Sequence, residues 1–148
     1  MITPSPTSKI APYLARGILA ESNAPTATKP AVIVLTIPDT SYRIHLVPAG
    51  PITSPIGKRI VGTIRAQARR VDVVTSGGRY IEPVFGRPRR VQGIVVATDP
   101  SSRSIVVNAG VPVVCTLTAP GQSPEQFEPG AFVSFDVLDG STFTPESA

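Results

Sequence analysis

Apolar residues fall in short runs, several of them alternating with polar ones, and Pro, Gly, Asn and Asp punctuate the runs. A period of two is the signature of half-buried strands rather than helices. Residues 13–20 read as a first strand. Residues 31–37 form a β-branched run suited to a strand covered on both faces. Pro38-Asp39-Thr40 is a turn, Pro presetting φ and Asp bonding back to the chain. Residues 41–47 alternate, with Tyr42, Ile44 and Leu46 on one face and Arg43, His45 and Val47 on the other. Strands are predicted at 58–67 and 70–75, then a short one at 79–85 whose Pro83 marks it as an edge. Residues 90–98, 104–108, 111–118 and 131–138 follow. Only Ser123-Pro124-Glu125-Gln126 carries a helix-start pattern, and Pro129-Gly130 stops it within one or two turns.

The elements recur. Arg16-Gly17-Ile18-Leu19-Ala20 is echoed by Gln92-Gly93-Ile94-Val95-Val96, an offset of 76. Pro48-Ala49-Gly50 returns as Ala119-Pro120-Gly121, and the run after Gly57 returns after Gly130, at offsets of 71 and 73. A repeat that preserves the order of several elements argues for two copies of one unit. The strand at 58–67 also resembles both the opening and the closing strand of the second copy.

A glycine-bearing first strand, a three-stranded meander, a short helical turn and a Pro-Gly step into another apolar strand resemble the OB-fold. That fold is a five-stranded Greek-key barrel with its helix between the third and fourth strands. Gly93 stands where the first strand must bend, and Ser123 to Phe127 where the helix lies. The resemblance is closest over 90–138. It is looser over 13–75, where Pro51 to Pro55 replaces the helix, and no strong fifth strand follows Leu138; 79–85, or a strand from the first copy, would have to take that place. The resemblance implies an all-β chain of two tandem OB-like barrels packed together. It divides into a disordered opening (1–11), a first barrel unit (12–78), an Arg/Pro-rich connecting strand or linker (79–89), a second unit (90–140) and a flexible tail (141–148).

At 148 residues, two such units are each near the size at which a lone core is marginal, so a shared interface is expected. There is no Trp, and the core must come from Val and Ile with five Phe. Neither a continuous apolar segment nor a basic stretch marks the first 20 residues as a secretory signal, and a lone Cys115 forms no internal disulfide; a cytoplasmic location in a bacterial protein is the expectation. One His and one Cys fall short of a structural zinc site, and no phosphate-loop motif is present, so no cofactor is expected. His45 reads as a solvent-facing or satisfied strand residue and Cys115, between Val113 and Leu117, as an inert core thiol. No enzyme is expected.

Charge is segregated. Residues 58–103 hold ten basic and three acidic side chains; residues 104–148 hold five acids and no Lys or Arg. Arg65, Arg69 and Arg70 surround a hairpin turn and Arg103 follows another, while Arg79, Tyr80, Phe85, Arg87, Arg89 and Arg90 interleave cations with rings. Cations along a groove and rings for base stacking are what single-stranded DNA or RNA binders combine. The competing account is an Arg-rich solvated linker between two barrels, its Arg content set by GC-rich coding. Two functions therefore stand. One is a non-catalytic single-stranded nucleic-acid-binding module. The other is a structural or protein-interaction domain, pairing with a partner or a second copy through edge strands at 79–85 and 131–138.

Overall fold

A computed structural model describes residues 13–75 and 77–146. The opening segment expected to be disordered, 1–11, lies outside the described residues. The protein is all-β, with twelve strands in one continuous hydrogen-bonded sheet and only single 3-10 turns at Pro100–Ser102 and Pro124–Gln126 among the described residues. In the second turn Gln126 Oε1 accepts from the Ser123 backbone N–H at 3.3 Å, half of the capping pattern read from sequence.

Strands β1 (Ala15–Asn23), β2 (Val32–Thr36) and β3 (Arg43–Pro48) form a meander, and β4 (Arg59–Ala68) returns to lie antiparallel beside β1. That is Greek-key connectivity. The ring is closed by the last strand, β12 (Thr142–Pro145), which lies parallel to β3 and antiparallel to β4. The result is a closed five-stranded barrel. The flexible tail expected from residue 141 is instead the strand that completes it. Phe143 anchors it: its ring is fully buried, which stabilises by roughly 1.5–3 kcal/mol, and pairing to β3 on one side and β4 on the other supplies the rest of what ordering four residues costs.

The remaining strands hang on the far half of β4. Strand β8 (Arg90–Asp99), β9 (Ser104–Asn108) and β10 (Pro112–Leu117) form a second meander, and β11 (Phe132–Asp136) returns beside β8. β10 runs parallel to Arg65–Ala68 of β4. A bridge between Ala68 and Val137 closes this ring too, fixed by Arg69 N–H to the Asp136 carbonyl (2.8 Å) and Leu138 N–H to the Gln67 carbonyl (2.9 Å). Here β4 stands in the fifth place that no strand after Leu138 could fill. Two-residue β5 (Asp72–Val73) borders β11, so the strand at 131–138 expected to be a free edge is paired on both sides. Of the connecting segment, β6 (Tyr80–Glu82) pairs with β8 and β7 (Phe85–Gly86) runs parallel to β3.

The two meanders share a register. Gly17 sits opposite Ile60 of β4, and Gly93 opposite Val133 of β11. Each leading strand then carries a bulge two residues on, between Leu19 and Glu21 and between Val95 and Ala97. Both glycines let a neighbouring backbone come close: a Cβ on Gly17 would lie 2.9 Å from the Thr36 carbonyl oxygen, and one on Gly93 would collide with that of Asn108. One apolar core runs through both rings, from Leu19, Ile44 and Phe143 to Val95, Val107 and Phe135, with Ile64, Ala66 and Ala68 of β4 between them.

Candidate functional site

The segment 83–88 forms a ridge beside the start of β3, on the strand edge that β12 takes farther along. Its position follows from pairing: Arg43 N–H donates to the Val84 carbonyl at 2.8 Å, and Arg43 and Ile44 sit opposite Phe85 and Gly86. The ridge carries the Phe85 ring to the surface, where it is 60% exposed. An exposed Phe needs local support, and two groups from β3 supply it. The Arg43 guanidinium lies 5.4 Å from the ring centroid, and the His45 ring lies 5.3 Å away, tilted by 57°. Arg43 is itself braced by Glu21 at 3.0 Å.

On one side of the ridge is a cleft of about 530 Å3 lined by Phe85, Arg87, Arg89 and Arg90, with Glu82 and Asp136 on its walls. Arg90 is anchored there. It donates to Asp136 Oδ1 at 2.8 Å and to Ser134 Oγ at 2.7 Å. Asp136 first, and then Tyr80, hold its guanidinium above the usual range, so it stays charged. Arg87 and Arg89 are exposed and in no ion pair among the described residues. Arg69 is joined to one wall residue of this cleft, Asp136, through the backbone alone.

Four of the ten residues singled out from sequence thus line one cleft. Tyr80 contributes indirectly. It is half-buried and its hydroxyl donates to Gln92 Oε1 at 3.1 Å, so it is no stacking platform. The others lie elsewhere. Arg65 projects from β4 opposite Val114 and Thr142. Arg70 pairs with Asp72 at 3.2 Å. Arg79 is exposed near Tyr42. Arg103, in a left-handed conformation after the 100–102 turn, donates to the Gln122 carbonyl at 3.0 Å.

On the other side of the ridge, sharing Gly86 and Arg87, is a larger cavity of about 690 Å3 walled by Lys29, His45, Leu46, Val47 and Ser141. It lies where the β1–β2 loop, β3, the ridge and the approach to β12 meet. From sequence, His45 is expected to be solvent-facing or satisfied. Its Nε2 is instead buried and without a hydrogen-bond partner. Lys29, Arg43 and Ser141 were not singled out, because nothing local marks them; only ring closure by β12 carries residue 141 to β3. Cys115 is fully buried, and desolvation pushes its thiol well above the ordinary range, which leaves it protonated and inert.

No helix among the described residues is long and apolar enough to cross a membrane. Comparison of the chain with family models, with curated proteins and with solved structures finds no match.

Proposed function

We propose that this protein is a non-catalytic module for single-stranded nucleic acid, built from two OB-like barrels that share a strand. The fold reading is supported by two five-membered rings of Greek-key order, by their common register and by the bulged, glycine-bearing leading strand of each. OB-folds bind oligonucleotides on the face of their second and third strands and in the flanking loops. In the first ring those strands are β2 and β3, and the ridge at 83–88 lies against β3.

The observation that carries the function is the Phe85 ring, exposed yet braced by Arg43, next to Arg87, Arg89 and Arg90 in one cleft. A base stacks on the ring and its phosphates lie along the guanidinium groups. Stacking contributes about 1–3 kcal/mol per base. Fluorescence anisotropy with a labelled oligonucleotide tests this. Phe85→Ala should weaken binding at least fivefold at all salt concentrations, while Arg87→Ala with Arg89→Ala should flatten the salt dependence as well. Absence of binding at low salt sinks the proposal.

A second reading, association with a partner chain or a second copy, is favoured by Ile94 and Val96, each 37% exposed on the outer face of β8, with Phe132 opposite Ile94. It expects a specific dimer or complex. Light scattering that shows only monomer across the micromolar range would remove self-association.

A further inference from the structure

Glu82 takes no part in the module as proposed, and beside phosphates its charge is a liability. It lies on the wall of the cleft that holds Phe85, Arg87, Arg89 and Arg90. The sheet fixes it there. Glu82 of β6 sits opposite Arg90 of β8, and Arg90 in turn sits opposite Asp136 of β11. Residues opposite one another on neighbouring strands share a face, so the three side chains form one row, a cation between two carboxylates. The Glu82 carbonyl also accepts from Arg89 N–H at 2.8 Å, so its backbone is held on a strand.

Arg90 is not divided between its two neighbours. Its Nη1 donates to Asp136 Oδ1 at 2.8 Å and its Nη2 to Ser134 Oγ at 2.7 Å. Both bonds draw the guanidinium toward β11. Glu82 is left exposed and in no ion pair among the described residues, although three guanidinium groups border the same cleft.

A carboxylate offers two acceptor oxygens and no donor. Phosphate oxygens repel it, so what it can take from a strand is a donated hydrogen. Guanine is the base that fills both oxygens, because N1–H and one hydrogen of the N2 amino group lie side by side on its Watson–Crick edge. Adenine and cytosine set one amino hydrogen beside a bare ring nitrogen, which repels the second oxygen. Thymine and uracil place N3–H between two carbonyls. Unstacked bases are read on this edge while an aromatic ring holds the base plane, and Phe85 supplies that ring in the same cleft.

We infer that the cleft selects guanine, with Phe85 under the base, Glu82 accepting from N1–H and the N2 amino group, and Arg87 and Arg89 on the flanking phosphates. This rests on the strand-binding function proposed above and adds which base the site prefers.

Fluorescence anisotropy with labelled DNA pentanucleotides, thymine throughout except at the centre, tests it. With the parent, central guanine should bind about tenfold tighter than central adenine, a purine that stacks as well but lacks the paired donors. Glu82→Gln, whose amide matches the donor and acceptor of adenine, should erase or reverse that preference. It should also bind the all-thymine strand as well as the parent or better, because a negative charge has left the cleft. A merely structural Glu82 would weaken every strand alike. Hypoxanthine, which is guanine without the N2 amino group, needs no variant, and at the centre it should lose most of the preference. The inference is overturned, with strand binding intact, if the parent binds central adenine, cytosine or hypoxanthine as tightly as guanine, or if Glu82→Gln keeps the preference for guanine. No binding of any strand at low salt removes the proposed function and the inference together.

Discussion

At the scale of the residue, the informative positions are those where a single group spans two parts of the chain. The Tyr42 hydroxyl donates to the Ala109 carbonyl at 2.8 Å and accepts from Ile81 N–H at 2.9 Å, tying β3 of the first ring to the β9–β10 turn and to β6. Tyr42→Phe leaves two buried backbone groups unpaired and should cost about 1–3 kcal/mol by denaturant titration. Desolvation raises the Tyr42 pKa above its ordinary value, so the folded state disfavours the phenolate. The associated stability is complete below about pH 10, the unfolded value, and is lost as pH rises from there through the raised folded one. The parent should therefore lose stability above pH 10 more steeply than Tyr42→Phe. Gly93 poses a packing constraint: an added methyl meets the Asn108 carbonyl, which cannot withdraw without parting β8 from β9. Gly93→Ala should destabilise by about 3 kcal/mol, read as a lowered urea midpoint with unchanged slope. Cys115 should stay unlabelled by a thiol reagent over hours in the native protein and react at once in denaturant.

At the scale of the element, most strands were legible because their period is local. Residues 43–47 alternate as read, and Val133, Phe135 and Val137 face the core as the pattern at 131–138 predicts. Gly93 marked the bend of its strand, and the structure puts the same close approach and bulge at Gly17. β12 was not legible: Thr142-Phe143-Thr144-Pro145 is four residues with one large apolar side chain, and what makes it a strand is the slot between β3 and β4 that awaits it. The site divides the same way. Phe85, Arg87, Arg89 and Arg90 are close in sequence and stayed close in space. His45 and Ser141 are far apart in sequence and meet at a cavity only because parallel pairing aligns β3 with β12. Phe143→Ala tests the importance of that strand. Its ring fills the space above Gly62, so its loss should cost about 3–5 kcal/mol and open β12 to hydrogen exchange ahead of the rest.

At the scale of the whole molecule, two rings share one strand and one core, so neither is a separable domain. Residues 90–138 have the better match to a barrel in sequence, yet lack the strand that closes theirs, which is Arg65–Ala68 of β4. Produced alone, that segment should give the circular dichroism of an unfolded chain, whereas residues 13–146 should melt in one transition with coincident near- and far-ultraviolet signals. The sequence laid the strands out in order and so suggested one unit after another. Ring closure is non-local, and no alternation of side chains reports on it.

The place of β12 has a consequence for biosynthesis. The ring of β8 to β11 on β4 takes no strand from beyond Leu138, while the ring of β1 to β4, whose strands are translated first, must wait for Thr142–Pro145. As the chain emerges, the later-encoded meander can therefore settle around β4 while β1, β2 and β3 remain an unsealed sheet. Chains truncated at Leu138 and held on the ribosome by an arrest linker long enough to bring Leu138 out of the exit tunnel should already protect Val107 and Val133 from pulse proteolysis, with Leu35 and Ile44 protected only in chains extended to Pro145 on the same linker.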